Sequence, residues 1–340
     1  MSLIIPANSA VAGGGFDVAN SCMFNSADSA YLNRTLGTPS VITTYTISFW
    51  VKRSALGTQQ GLIGSGNGTI DTKLQFDSSD RFEFSDYQGA YKARYITTRV
   101  FRDVASWYHI VASVDTRQAT ASNRIRIYIN GIEETVFTTE TNPNQDRESM
   151  LNTPAYPHFI GSGVPSGSML SGYISEFVFI DGLQFEDSSA LGNDAAGSNN
   201  FTANNLAATD QGTDTCTNNF STLNLLATSS YATLSQGNNT VSGNTTANSA
   251  ETFSTFSTGN NGKWYYEIKC TTRNDVGNPT IGFIHTARGF RLQNGEPGLG
   301  GATNGSLDIR VQPDGKLFEN GAASGSAVIS TYTDGDILGF

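Results

Sequence analysis

The chain has 340 residues, of which 15% are charged and 36 are glycine, and its formal net charge is −10. That length accommodates two ordinary domains, and so little charge beside so much Gly, Ser, Thr and Asn suits many short strands joined by turns. The acidity excludes a nucleic-acid partner, because phosphate binding needs a clustered Lys/Arg face and none is present.

No apolar stretch approaches membrane-spanning length, so membrane insertion is not expected. The start lacks a basic n-region, which predicts synthesis in a cytoplasm without Sec export. Cys22, Cys216 and Cys270 are odd in number and far apart. They define neither a disulfide framework nor a zinc site and read as free thiols.

Residues 1–22 read as an N-terminal arm, with apolar Leu3-Ile4-Ile5-Pro6 ahead of a flexible Gly13-Gly14-Gly15 joint. Such a tip can dock on another protein by strand addition; the alternative is a frayed terminus or an edge strand of the chain's own sandwich. From Thr44 to Lys52 the pattern alternates, placing Tyr45, Ile47, Phe49 and Val51 on one face and Trp50 on the polar one. Short strands follow around Leu74 to Phe76, Arg81 to Ser85 and Tyr91 to Val100.

Tyr108, Ile110, Ala112 and Val114 share a face of the next strand, and Ile125, Ile127 and Ile129 of the one after. Asn130-Gly131 supplies a tight hairpin turn, with the return strand expected over Ile132 to Phe137. Thr138 to Pro157 is polar and proline-rich, which predicts a long surface loop. Tyr173 to Asp181 is apolar on both faces, as in a central buried strand. Residues 188–230 turn to Asn, Ser and Thr yet retain Phe201, Leu206, Phe220 and Leu223, so a packed connector is expected and not a solvated linker.

Trp107 to Val114 followed by Arg124 to Gly131 is similar to the centre of laminin G-like, concanavalin A-like jelly rolls. The likeness extends to Phe24 to Leu32, Tyr45 to Lys52, Phe159 to Gly163 and Tyr173 to Asp181, and implies such a sandwich over 23–187. Gly262-Lys263-Trp264-Tyr265-Tyr266-Glu267, with Ile281 to Ile284, Asp314 to Phe318, Asn320-Gly321 and Tyr332 to Phe340, resembles SPRY domains. This implies a second sandwich over 231–340. SPRY domains continue past the Asp334-Gly335-Asp336-Ile337-Leu338-Gly339 strand, so the second sandwich is expected to be incomplete, from a longer parent chain or with strands supplied by a partner. The expected fold class is therefore all-β, with two antiparallel β-sandwich domains in tandem.

The order of these parts resembles structural proteins of tailed bacteriophages, marine ones especially. The resemblance implies a non-enzymatic virion protein, either a fibre, a tail appendage or a head decoration. It would be fixed to the particle through Leu3, Ile4, Ile5 and Pro6, exposed on the exterior, homo-oligomeric (a trimer if a fibre), and used for host attachment. A secreted or cell-surface carbohydrate-binding adhesin is the competing class, and a glycan-degrading enzyme the third.

Catalytic signatures are absent from the sequence: there is no E-x-D-x-x-E strand, Glu133-Glu134 point to opposite faces, and His109, His158 and His285 have no acidic or nucleophilic partners nearby in sequence. Sugar binding needs aromatic side chains flanked by polar groups. Arg81 to Tyr95 has that mixture, so Asp86, Tyr87, Tyr91, Arg94 and Tyr95, with Trp50, are the candidate glycan-binding residues. They could instead cover the sandwich or pack on a neighbouring subunit. Arg124, Arg126 and Tyr128 form an outward row that could meet a partner. No cofactor is called for, but laminin G-like domains often hold Ca²⁺ in a rim loop, where Asp71, Asp77 and Asp80 would be the ligands; solvated turn residues are the other reading.

Overall fold

The computed structural model describes residues 18–164, 167–181, 201–243, 252–257, 265–272, 281–284, 291–293, 296–298, 308–311, 313–319, 322–323, 326–327 and 329–339. Leu3, Ile4, Ile5, Pro6, Lys263, Trp264, His285, Asn320, Gly321 and Phe340 lie outside the described residues. Two compact units divide the chain, 1–222 with 235–239 and 223–234 with 240–340. Among the described residues the elements are antiparallel strands and single 3-10 turns, without an α-helix, and no helix is long and apolar enough to cross a membrane.

The first unit contains β1 (Ser21–Phe24), β2 (Tyr31–Thr35), β3 (Thr44–Arg53), β4 (Gln60–Gly66), β5 (Ile70–Phe76), β6 (Arg81–Gln88), β7 (Tyr91–Val100) and β8 (Trp107–Asp115). It continues with β9 (Ile125–Ile129), β10 (Ile132–Glu133), β11 (Phe137–Thr141), β12 (Pro157–Ile160), β13 (Gly172–Ile180), β14 (Thr202–Asn204) and β15 (Gln211–Gly212). They form a seven-stranded sheet, β10-β9-β8-β3-β13-β1-β15, and an eight-stranded sheet, β11-β7-β6-β5-β4-β12-β2-β14.

Strict alternation fixes which side of each strand is buried. In the seven-stranded sheet Tyr45, Ile47, Phe49 and Val51 of β3 join Ile110, Ala112 and Val114 of β8 and Ile125, Ile127 and Ile129 of β9 in one core cluster. From the other sheet Leu74, Phe76, Phe82 and Phe84 complete it. Each Val, Leu, Ile or Phe side chain among them contributes about 1.5–3 kcal/mol on burial.

The Asn130-Gly131 turn has φ of 52° and 79°, the two left-handed positions of a type I′ hairpin. The strand expected over 132–137 is two strands. Ile132 pairs with Ile129 in one sheet, while Phe137 pairs with Thr97 in the other, so residues 134–136 carry the chain over the sandwich edge.

The expected surface loop 138–157 is corrected at its two ends. Its start is β11, and its end closes the sandwich: Leu151 is 0% exposed. Ser149 Oγ meets Tyr45 Oη at 2.8 Å, and the Met150 N–H donates to Thr72 Oγ1 at 2.9 Å. The sequence of this segment looks like a loop because its contacts are made by single polar groups and not by a periodic apolar face. β13 is central, between β3 and β1; it is buried over Gly172 to Ser175 and half-buried beyond a bulge at Glu176, where φ is 51°.

In the second unit the strand Glu267–Lys269 pairs antiparallel with Ile337–Gly339. The Cys270 N–H donates to Asp336 O at 2.9 Å and the Gly335 N–H to Cys270 O at 2.7 Å, which closes the end of that ladder. A four-stranded sheet orders Ile281–Ile284, Asp308–Val311, Leu317–Glu319 and Ala322–Ala323. Cys22, Cys216 and Cys270 are all free thiols.

Candidate functional site

Because Leu74, Phe76, Phe82, Phe84 and Ala93 face the core, their neighbours on β5, β6 and β7 face outward. The register puts Gln75 beside Glu83, Lys73 beside Ser85 and Asp71 beside Tyr87, then Ser85 beside Arg94 and Tyr87 beside Tyr91. A single row of bonds crosses this face. Gln59 Nε2 donates to Gln75 Oε1 at 2.8 Å, Gln75 Nε2 to Glu83 Oε2 at 2.9 Å, and Arg94 Nε to Glu83 Oε1 at 2.8 Å. The Arg94 guanidinium lies 4.2 Å from the centre of the Tyr91 ring, and Tyr87 meets Tyr91 edge-on at 5.2 Å.

Glu83 is only 2% exposed, and Arg94 Nε meets its carboxylate at 2.8 Å. Burial opposes the charge on Arg94, but the Glu83 carboxylate outweighs it and raises the guanidinium's pKa. Burial pushes the Asp71 carboxyl up, against the pull of Lys73 at 3.5 Å. Tyr91, at 44% exposed, is the open end of the row. On its other side the face is bounded by the chain after β12, where the Gly61 N–H donates to Ser168 O at 3.1 Å.

Of the glycan-binding candidates, Tyr87, Tyr91 and Arg94 share this surface, and three do not. Tyr95 is 2% exposed in the core, edge-on to Phe84 and Phe137, with its hydroxyl donating to Asn142 Oδ1 at 2.7 Å. Asp86 also points inward, and its carboxylate accepts from Thr72 Oγ1 at 3.1 Å and Arg147 Nε at 3.0 Å. Trp50 belongs to the other sheet. It stacks on His109 at 4.8 Å, whose Nε2 pairs with Ser48 Oγ at 2.9 Å, and burial lowers the His109 pKa. Sequence reasoning missed Gln59, Gln75, Glu83, Ser85 and Lys73, although alternation with core residues was the signal that could have found most of them.

The three aspartates considered for Ca²⁺ are not brought together. Asp71 sits at one end of β5 and Asp77 and Asp80 beyond the other. Asp77 is held by Arg81 at 2.7 Å, while Asp80 accepts from Arg53 at 3.0 Å, Arg102 at 2.9 Å and the Gly57 N–H at 2.7 Å. Among the described residues no three His, Cys, Asp or Glu side chains cluster so as to hold a metal.

The outward row is corrected in part. Arg124 precedes β9 and donates to Gln118 O, Ala119 O and Pro143 O at 2.9, 3.1 and 2.7 Å, so it clamps its own loop. Arg126 is exposed beside Glu133 at 3.8 Å, and Tyr128 is half-buried.

Residues 26–187 match the family model described as the concanavalin A-like lectin/glucanases superfamily, Laminin_G_3. No curated protein matches the chain. Similar solved structures include a native heptameric SAP-like pentraxin from Limulus polyphemus, 12% identical with a TM-score of 0.35, covering 49% of this chain and 77% of that one. Domains LG4-5 of the mouse laminin alpha1 chain are 12% identical with a TM-score of 0.37, covering 53% and 48%. The Ruminococcus gnavus IT-sialidase CBM40 bound to alpha2,3 sialyllactose is 10% identical with a TM-score of 0.30, covering 48% and 89%. Residues 26–187 have the laminin G-like, concanavalin A-like jelly-roll fold.

Proposed function

We propose that the jelly roll is a glycan-binding module and that its site is the outward face of β5, β6 and β7. The observation that carries this reading is the placement of Tyr87 and Tyr91 at the open end of the Gln59–Gln75–Glu83–Arg94 row. A sugar has an apolar face that stacks on an aromatic ring and a hydroxyl edge that needs fixed polar partners; here the exposed Tyr91 ring lies beside the partly exposed Arg94 guanidinium, which the buried Gln75–Glu83 pair holds in place. The family model's description as lectins and glucanases agrees.

Binding without hydrolysis is the reading we favour. The two carboxylates nearest this face are each paired with a cation, Asp71 with Lys73 at 3.5 Å and Glu83 with Arg94 at 2.8 Å, whereas a glycosidase uses a facing carboxylate pair as acid and base or nucleophile. The wider role is that of a virion structural protein, displayed on a phage particle as a fibre, tail appendage or head decoration and docked through Leu3 to Pro6. Its support is the order of the laminin G-like segment, the connector and the SPRY-like segment.

A glycan array with the full chain tests the site. Tyr91→Ala and Arg94→Ala should lose the signal, and Trp50→Ala, on the other sheet, should keep it. The reverse pattern would move the site to the Trp50 face. Mass spectrometry of purified particles tests the wider role, which fails if the protein is absent from them.

A further inference from the structure

Lys52 is an outward residue of β3, between inward Val51 and Arg53, and should reach water. Instead its side chain is 1% exposed, because residues 211–220 cross it. Its Nζ donates to Asp214 Oδ2 at 2.8 Å, Asn219 Oδ1 at 2.8 Å and Phe220 O at 2.9 Å. Asp214 Oδ1 accepts from Trp107 Nε1 at 3.1 Å and the Phe220 N–H at 3.3 Å. Asn219 Nδ2 donates to Ala105 O at 2.7 Å, which fixes the plane of the carboxamide. The Tyr173 ring, 6.0 Å from Nζ and 6.2 Å from the Trp107 ring, walls the site. An amine, a carboxylate and a half-buried carboxamide are thus held within hydrogen-bond reach, with the amine itself away from solvent.

We infer that Lys52 and Asn219 react to form an intramolecular isopeptide bond, with Asp214 as the proton acceptor. Burial lowers the Lys52 pKa, although Asp214 pulls it back up, so the free amine is easier to reach than in water, and Asp214 Oδ2 at 2.8 Å is placed to take its proton. The free amine attacks Asn219 Cγ, and a C–N bond forms. Asp214 returns the proton to Nδ2, the Cγ–Nδ2 bond breaks and ammonia leaves, and Asp214 then takes the surplus proton from the new amide nitrogen and passes it to the ammonia, which departs as ammonium. Electrons and atoms balance without an oxidant, since one amine and one carboxamide become a secondary amide and ammonia. Fixed proximity supplies the rate, as in other intramolecular acyl transfers. The carboxylate of Asp214 is the poorer electrophile because delocalisation of its charge over both oxygens leaves its carbon less open to an amine than that of a neutral carboxamide. The bond would staple the connector to the middle of the seven-stranded sheet.

Intact mass of the purified full chain is the test. We expect a mass one ammonia below that of the sequence, and a proteolytic fragment in which the Lys52 and Asn219 peptides remain joined. Asn219→Ala and Asp214→Ala should each restore the full mass. A wild-type chain at its full sequence mass overturns the inference, and this reading needs no variant to fold. A loss of one water overturns the assignment to Asn219 and moves the bond to Asp214.

Discussion

Gly64 lies on β4 between Lys73 of β5 and Phe159 of β12, on the outward side of the eight-stranded sheet. A Cβ built there falls well inside contact distance of the Gly163 carbonyl oxygen, and one at Gly61 does the same to the Gly163 amide. The Gly64 backbone is not left-handed, so the cost of Gly64→Ala is steric, and the obstacle is backbone that cannot rotate away. Overpacking of this kind costs about 1–3 kcal/mol. For a domain of about 150–250 residues each kcal/mol moves Tm by roughly 2–4 °C, which gives a drop of roughly 2–12 °C. Gly37→Ala is the matched control, since nothing lies within 4 Å of its Cβ, and it should melt with the wild type or slightly above it. Differential scanning calorimetry of the three proteins decides. A Gly64→Ala chain that melts with the Gly37→Ala control would mean that residues 161–164 do not seat on β4, and that the boundary drawn for the glycan-binding face is wrong.

Acid should destabilise the jelly roll in two stages. Burial lowers the His158 pKa from 6.5 to about 4, so between those values the unfolded chain binds the proton and the folded one does not. Stability is then lost as pH falls from 6.5 to about 4, by up to about 3 kcal/mol, and His158→Gln should flatten urea midpoints over that window. Asp80 is the second stage: burial raises its pKa, but the Gly57 N–H, Arg102 and Arg53 together hold it below 3.8, so its contribution is present above that value and fades below it. Asp80→Ala leaves Arg53 buried without its carboxylate and should cost about 3–5 kcal/mol. Glu133→Ala, which breaks only the exposed 3.8 Å pair with Arg126, should stay within about 0.5 kcal/mol; equal urea midpoints for these two variants would contradict the burial argument.

The sandwich was legible because a sheet buried on one side writes its period into the sequence. Tyr45, Ile47, Phe49 and Val51 on β3, and Ile125, Ile127 and Ile129 on β9, could hardly be placed otherwise. What period cannot reveal is a cover that arrives from elsewhere in the chain. Lys52 alternates as a solvent residue should, yet Asp214 and Asn219 bury it from more than 160 positions away. The closure by Ser149, Met150 and Leu151 has the same character, since its bonds reach back to Tyr45 and Thr72.

The candidate site was half legible, and the reason is parity. Arg81 to Tyr95 was the right segment, but strands sort residues by odd and even position, which sends Asp86 inward with Phe82 and Phe84 and leaves Glu83, Ser85 and Tyr87 outward. Tyr91 and Arg94 are three residues apart and would face opposite sides of a regular strand. They meet because Asp86 pairs with Ala93 while Tyr87 pairs with Tyr91, so β7 carries one extra residue at Lys92. A bulge of this kind reverses parity once. It keeps Tyr95 in the core while bringing the Arg94 guanidinium over the Tyr91 ring. The aromatic and charged components of the proposed glycan surface therefore depend on a single inserted residue, which composition does not mark.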